Sequence, residues 1–97
     1  MTLQDDILQR LRTAAPSLRL QAVQAIWVFG SVARGEADEE SDVDILVDLD
    51  APVSLFEFVR LRRQLASILG RRVDLVTRDG LRPHLRDQVM REAVRAA

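Results

Sequence analysis

Two short motifs in the first half of the chain contain the residue types needed to hold a metal-bound phosphate. Gly30 and Ser31 follow the apolar run 25–29, which predicts a buried strand whose end leaves backbone N–H groups free to bind an anion. Asp42 and Asp44 are separated by one residue in a second apolar segment, so both project from one side of a strand. Mg²⁺ takes one or two carboxylates and fills its other positions with waters and phosphate oxygens. The motifs therefore predict a site for Mg²⁺ and nucleotide phosphates.

A third acidic residue, Asp74, lies in the short apolar segment 72–77, which predicts a strand with Val73 and Leu75 on the opposite face. Three carboxylates near one sheet repel one another unless a cation joins them, so the set favours one or two bound Mg²⁺ ions. Two metal ions can hold an attacking and a leaving oxygen in line. This chemistry is phosphoryl or nucleotidyl transfer.

Each motif has a simpler interpretation when it is taken alone. An Asp-x-Asp pair on a strand is usually a solvated edge, and Asp74 by itself is more often an ordinary strand-end residue or an ion-pair partner of Arg71, Arg72 or Arg78. Arg34 has two interpretations of equal weight, since it would either contact a phosphate or brace the acidic loop that follows it. Only the combination of motifs favours a catalytic site.

Composition excludes several other kinds of chemistry. The chain has no cysteine and one histidine, which excludes disulfides, zinc–thiolate sites, cysteine nucleophiles and multi-histidine metal sites. All 14 basic residues are arginine, so neither a P-loop lysine nor a Schiff-base mechanism is available. Residues 1–50 carry 4 arginines against 10 acidic residues, and residues 51–97 carry 10 against 5. The acidic half contains the predicted metal site, and the basic half would face a phosphate chain, an acidic partner or simply solvent.

The length of 97 residues predicts one domain, residues 1–97, with a single core. No apolar run approaches the roughly 18 residues of a membrane span, and the first residues lack the basic start of a signal peptide. We therefore expect a cytoplasmic protein that does not associate with membranes.

The predicted elements alternate in the order helix, strand, strand, helix, strand, helix. Thr2 with Asp5 resembles a capping box ahead of a first helix that runs up to Pro16, and the first strand spans Ala25–Phe29. The next predicted features are a loop at 35–41 and a strand with Val43, Ile45 and Val47 on its buried face. Ser54 with Glu57 forms a second capping box ahead of a helix that ends at Gly70, and a strand at 72–77 and a last helix from Pro83 through Val94 follow. This order predicts an α+β (α/β) fold with a small mixed β-sheet and helices packed mainly on one face. The aromatic residues Trp27, Phe29, Phe56 and Phe58 are expected in the core, with base stacking or contact with a partner as the alternative. His84 is expected at a helix start on the surface.

Together the motifs resemble the nucleotidyltransferase superfamily that includes the DNA polymerase β palm. Its signature is an apolar residue with Gly-Ser, a spacer of about ten residues, Asp-x-Asp between apolar residues and a later acid, and here these are Phe29-Gly30-Ser31, Asp42-Val43-Asp44 and Val73-Asp74-Leu75. The forms Gly-Ser-x-Ala-Arg-Gly-Glu-Ala and Ser-Asp-x-Asp-Ile-Leu-Val, with the ending Leu81-Arg82-Pro83-His84-Leu85-Arg86, are similar to the minimal nucleotidyltransferase (MNT) branch. The resemblance spans nearly the whole chain.

The resemblance implies a polymerase β palm-like fold and a role for each motif residue. Asp42, Asp44 and Asp74 would be the catalytic and metal-ligating residues, with one or two Mg²⁺ ions as cofactor and ATP as substrate. Asp74 would also help to activate the attacking hydroxyl. The nucleotide phosphates would be bound by a second set of residues, Gly30, Ser31 and Arg34.

The resemblance further implies that the protein is the antitoxin of a toxin–antitoxin pair. Its partner would be an all-helical HEPN-domain ribonuclease toxin, and its activity would be transfer of AMP from ATP to a toxin tyrosine. The chain has no tyrosine, so a tyrosine acceptor must lie on another molecule, and we expect a hetero-oligomer with the partner and no direct binding of nucleic acid. Two alternatives remain at this point: an antitoxin that neutralises the toxin by binding alone, and a module that senses nucleotides.

Overall fold

The computed structural model describes residues 2–97 and contains one mixed sheet of four strands. The strands are β1 (Val23–Phe29), β2 (Val43–Leu49), β3 (Val73–Thr77) and β4 (Val94–Arg95), and the helices are α1 (Leu3–Arg19), α2 (Gly30–Ala33), α3 (Leu55–Leu69) and α4 (Pro83–Glu92). The spatial order is β3-β2-β1-β4; β1 is antiparallel to β2 and β4, whereas β2 and β3 are parallel. The predicted α+β fold with a small mixed sheet is confirmed.

The helix boundaries follow from local capping chemistry. Both predicted capping boxes are present, with Thr2 capping α1 and Ser54 capping α3 through reciprocal bonds to the residue three positions on. Gly70 ends α3 in the left-handed region at φ 64°, a conformation that suits glycine. Pro83 is the first residue of α4, where its missing N–H has no intrahelical partner to lose.

Three predicted boundaries are wrong by two or three residues. The first strand was expected to begin at Ala25, but β1 begins at Val23, which pairs with Leu49 of β2. The first helix was expected to end at Pro16, but α1 continues to Arg19, because one more turn places Leu18 in the core with no exposed surface. The last helix was expected to include Val94, but α4 ends at Glu92 and Val94 pairs with Val28 of β1. A two-residue strand is too short to produce a period in the sequence, so the hydrogen bonds to β1 decide its conformation.

The sheet is buried on both faces. The larger apolar cluster lies under α1 and α3 and contains the predicted strand residues Val43, Ile45 and Val47, each with no exposed surface. Trp27 and Leu46 belong to a second cluster on the opposite face, against residues of α4 such as Val89. The two long helices therefore share one face, and α4 partly covers the other.

The aromatic residues do not all lie in the core. Trp27 is buried beneath the guanidinium groups of Arg78 and Arg95, and Phe58 packs against the main cluster. The expectation for Phe56 is wrong, since 85% of its surface is exposed. Phe56 lies five residues before the buried Leu61, which places it about 140° around α3 from the core side.

Within residues 2–97, no helix combines the length and the apolar character required to cross a bilayer.

Candidate active site

The sheet register brings the predicted acidic residues to one end of the sheet. Asp44 on β2 is the direct cross-strand partner of Asp74 on β3, and on its other side it is registered with Phe29, the last residue of β1. Asp42 immediately precedes β2, and Gly30 begins α2 immediately after β1. Asp44 therefore lies between the third acid and the glycine-serine pair, as the motif interpretation requires.

Gly30 allows α2 to begin directly against the Asp44 carboxylate. Its φ of +68° lies in the left-handed region, and a Cβ at this position would overlap Oδ2 of Asp44 and come within 3.0 Å of its Cγ. Ser31 follows as the second residue of α2, and its carbonyl oxygen accepts a 2.9 Å bond from the N–H of Glu36. The glycine is therefore required both by the backbone conformation and by the space that the carboxylate occupies.

Negative charge is concentrated at Asp44. Its partial burial raises the pKa of the carboxyl group above its usual range, and the neighbouring carboxylates of Asp74 and Asp42 raise it further. Glu92 also raises this pKa, whereas the guanidinium of Arg34 lowers it. A cation at this position would relieve the repulsion, so the site has the electrostatic character of a cation site.

The three carboxylates do not by themselves form a complete metal-binding site. Among residues 2–97, no three His, Cys, Asp or Glu side chains converge closely enough to hold an ion by themselves. Hard carboxylate oxygens nevertheless suit Mg²⁺, which needs only one or two protein ligands when phosphates and waters supply the others. Asp42, Asp44 and Asp74 are the residues that would hold it.

The arginine contacts differ from the simpler interpretation of Asp74. Nε of Arg72 lies 3.1 Å from Oδ1 of Asp42, so this arginine pairs with the first acid of the motif. Arg78 pairs with Asp48 at 3.8 Å. Within the described part of the chain, residues 2–97, the exposed Asp74 makes no ion pair. Its carboxylate is therefore left available on the β3 side of Asp44.

Arg34 and Arg71 both stabilise the acidic loop at 35–41. Arg34 lies 3.0 Å from a carboxylate oxygen of Glu36 in that loop, and Arg71 donates to the carbonyl oxygens of Asp38 and Glu39 at 2.9 and 3.1 Å. The structure thus places Arg34 in the bracing position, at the end of α2. The single histidine, His84, is exposed in the first turn of α4, away from this constellation.

Sequence reasoning missed Glu92. Its Oε1 accepts a 3.2 Å bond from the N–H of Gly30 and lies 3.3 Å from Nη1 of Arg34. The N–H of Gly30 is therefore not free, contrary to the prediction for the end of β1, because a carboxylate of the same chain already accepts from it. This carboxylate joins the end of α4 to the start of α2 across 62 positions of sequence. No spacing within the motifs points to Glu92, because the contact depends on α4 packing against the second face of the sheet.

We expect Glu92→Ala to lower Tm by about 2–4 °C, because it removes the half-exposed carboxylate that contacts both the N–H of Gly30 and the guanidinium of Arg34. Thermal unfolding measured by circular dichroism checks this. The matched control is Glu36→Ala, which removes the more exposed partner of the same arginine and should leave Tm unchanged. Equal losses in the two variants would contradict a specific role for Glu92.

Comparison with known proteins identifies the family of this chain. The family model of the nucleotidyltransferase domain matches residues 7–96 of this chain, a range that runs from within α1 to the end of β4. The chain belongs to the nucleotidyltransferase domain family. The predicted resemblance is confirmed, and this chain is a nucleotidyltransferase.

The relatives of this nucleotidyltransferase include a protein adenylyltransferase. The protein adenylyltransferase MntA of Thermococcus cleftensis is 50% identical over 72 residues, which are 74% of this chain and 73% of that protein. A solved structure of a minimal nucleotidyltransferase superposes with a TM-score of 0.77 at 46% identity, covering 97% of this chain and 95% of the other.

Two toxin–antitoxin structures also contain a chain of this fold. One, solved with AMP-PNP, gives a TM-score of 0.71 at 29% identity over 97% of this chain and 72% of the other. The second is the tri-AMPylated HEPN toxin of Shewanella oneidensis in complex with its MNT antitoxin, with a TM-score of 0.63 at 26% identity over 98% and 69%. The MNT branch assignment is therefore confirmed.

Proposed function

We propose that residues 1–97 form one Mg²⁺-dependent catalytic domain that transfers AMP from ATP to a hydroxyl of a HEPN toxin, and so acts as an antitoxin in the cytoplasm. The observation that carries the proposal is the position of Asp44 between Asp74 and Gly30, with the Asp42 carboxylate near enough to raise the pKa of Asp44. The relative named as a protein adenylyltransferase and the AMPylated toxin bound to an MNT antitoxin support protein as the acceptor class.

Each residue of the site has a role in this reaction. When ATP binds at the start of α2, the backbone of Gly30 and Ser31 and the guanidinium of Arg34 hold its phosphates, which replace the carboxylates of Glu92 and Glu36 as their partners. The carboxylates of Asp42 and Asp44 hold Mg²⁺, which when bound neutralises charge on the phosphates. Asp74 accepts the proton of the attacking hydroxyl. Rate enhancement then comes mainly from placing hydroxyl and α-phosphorus in line.

Tyrosine is the expected acceptor, and it must come from the partner, because this chain contains none. The acceptor side chain has to reach the exposed Asp74, which lies on the open, β3 side of Asp44. A partner that supplies a tyrosine there would form a hetero-oligomer with this chain. We expect no direct binding of nucleic acid.

Incubation of the chain with its cognate HEPN toxin and ATP labelled at the α-phosphate tests the proposal. We expect Mg²⁺-dependent label on a toxin tyrosine, loss of label on addition of EDTA, and loss with Asp42→Ala. Asp87→Ala is the matched control, since it removes an exposed aspartate of α4 outside the site and should leave labelling unchanged. Labelling by Asp42→Ala at the wild-type rate would overturn the proposal.

A binding-only antitoxin is the second candidate, and one surface favours it. Leu55 and Phe56 at the start of α3 are 77% and 85% exposed, and Leu55 borders a groove of about 690 Å³ at the far end of β2 and β3. Exposed apolar side chains of this size are typical of protein interfaces. Growth assays separate the candidates: neutralisation by Asp42→Ala supports binding alone, and toxicity with that variant supports catalysis.

A further inference from the structure

The carboxylate of Glu92 occupies the position in which a phosphate of ATP would be bound. Its Oε1 accepts the 3.2 Å bond from the N–H of Gly30 and lies 3.3 Å from Nη1 of Arg34. Its Oε2 lies 3.5 Å from the same Nη1. A backbone N–H group has one hydrogen, so Gly30 cannot donate a full bond to Glu92 and to a phosphate oxygen at the same time. Glu92 and the phosphate therefore compete for the same two donors.

The core of the protein does not fix Glu92 at Gly30. Glu92 is the last residue of α4, a helix in which no side chain is fully buried. The next residue, Ala93, is extended rather than helical, with ψ 139°. Glu92 is itself partly exposed and belongs to neither apolar cluster. Its carboxylate can therefore turn away from α2 without opening the packing of the sheet.

The charges around Glu92 favour its departure when a phosphate arrives. Glu92 is one of the carboxylates that raise the pKa of Asp44, so its negative charge acts on the residue proposed to hold Mg²⁺. A triphosphate brings further negative charge to the same place. Arg34 is also paired with Glu36 at 3.0 Å, so it does not depend on Glu92 for a partner. Repulsion thus opposes a state in which Glu92 and the triphosphate are bound together.

We propose that Glu92 is an internal competitor of ATP, which lowers the affinity of the site for nucleotide phosphates by occupying it in their absence. This inference rests on the proposed function, in which those phosphates bind at Gly30 and Arg34. Because Glu92 belongs to the same chain, its effective concentration beside the site stays high. ATP binds only to molecules in which Glu92 has turned away. Its apparent dissociation constant is therefore raised by the inverse of the fraction of such molecules.

The same competition favours the release of pyrophosphate. After AMP has been transferred, the β- and γ-phosphates remain as pyrophosphate at the donors that they contacted in ATP. Return of Glu92 to Gly30 and Arg34 displaces them through the contacts that opposed ATP binding. Glu92 thus weakens the binding of substrate and product phosphates alike. It determines affinity and takes no part in the chemical step.

Calorimetric titration of the chain with AMP-PNP and Mg²⁺, in the absence of toxin, tests the competition. The variant Glu92→Gln keeps the size of the side chain and an oxygen that can accept from Gly30, but it removes the charge that attracts Arg34. We expect its dissociation constant for AMP-PNP to be about fivefold lower than that of wild type, the scale of one half-exposed ion pair. The matched control is Asp87→Asn, which removes the same charge from an exposed position of α4 and should bind as wild type does.

Steady-state kinetics with the cognate toxin provide the second measurement. We expect Glu92→Gln to lower the KM for ATP about fivefold and to keep kcat within about twofold, because the competition acts on binding and not on the transition state. The inhibition constant of pyrophosphate should fall in parallel with this KM. Loss of a contact between α4 and α2 should at the same time lower Tm. Tighter nucleotide binding by a less stable variant is a combination that a merely structural role does not produce.

Four outcomes decide the inference. Binding of AMP-PNP by Glu92→Gln that is equal to or weaker than that of wild type overturns it, because Glu92 then does not oppose the phosphates. Equal tightening in Asp87→Asn also overturns it, since a general effect of charge would then be sufficient. Transfer of AMP by a Glu92→Gln enzyme with wild-type KM overturns the inference and leaves the proposed function intact. Failure of both proteins to bind AMP-PNP overturns both.

Discussion

Replacing Asp44 by asparagine is expected to slow AMP transfer by about 10²–10³-fold, the scale for removing one electrostatic group from a catalytic site. The folded protein should become more stable by the same change. In the native state the Asp44 carboxylate is partly buried and faces the carboxylates of Asp74 and Asp42, which raises its pKa. The neutral amide removes this repulsion, and we expect Tm at pH 7 to rise by about 2 °C.

The pH dependence of this stabilisation has a definite sign. Because the pKa of Asp44 is raised on folding, the native state binds the proton more tightly than the unfolded chain does. The destabilisation of the folded protein by the ionised Asp44 carboxylate is therefore fully present at neutral pH. It is relieved as pH falls through the raised pKa of the folded state. The difference in Tm between Asp44→Asn and wild type should accordingly shrink towards zero in acid.

Differential scanning calorimetry across this pH range, with and without Mg²⁺, measures the effect. Mg²⁺ should raise the Tm of wild type more than that of Asp44→Asn, because the ion binds the native carboxylates and not the unfolded chain. Asp48→Asn is the matched control: it lies on the same face of β2, pairs with Arg78 outside the site, and should keep full activity. A destabilised Asp44→Asn protein, or an active one, would contradict the assignment.

The second large effect is expected for Gly30→Ala. The new Cβ has to adopt a left-handed φ and at the same time displace the Asp44 carboxylate. Backbone strain and overpacking together predict a loss of about 2–4 kcal/mol in the free energy of unfolding. A displacement of about 1 Å at a reacting group costs about 10²-fold in rate, so AMP transfer should fall at least that far.

The variant Gly35→Ala separates backbone strain from the steric clash with Asp44. Gly35 also has a left-handed φ, +74°, but a Cβ there meets nothing within 4 Å. It should therefore show only the cost of the backbone conformation, about 1 kcal/mol, and should retain activity. Urea denaturation of both variants gives the two free energies. If Gly35→Ala were as damaging as Gly30→Ala, contact with Asp44 could not be the reason that position 30 is glycine.

Sequence reasoning succeeded for features that are encoded locally. The capping boxes at Thr2 and Ser54, the stop at Gly70 and the strand carrying Asp44 each depend on residues within one or two turns of the chain. The three-part acidic motif could be assembled because its spacing alone resembles a known family. Strand periodicity then predicted correctly that Val43, Ile45 and Val47 are buried.

The features that were missed depend on packing between distant segments. Val94 leaves the helix because β1 offers it hydrogen bonds, and Phe56 is exposed because the helix phase is set by Leu61 further along α3. The partner of Arg72 is Asp42 because β3 runs parallel to β2 in a register that no single segment specifies. Propensity and period carry no information about such contacts.

The contact between Glu92 and Gly30 has a consequence for cooperativity. Its two residues are 62 positions apart, and Asp44 and Asp74, which face each other beside them, come from two further segments of the chain. No stretch of the chain that folded alone would contain more than a part of the site. Enzymatic competence therefore requires the complete native state, and activity should be lost together with the global fold on unfolding.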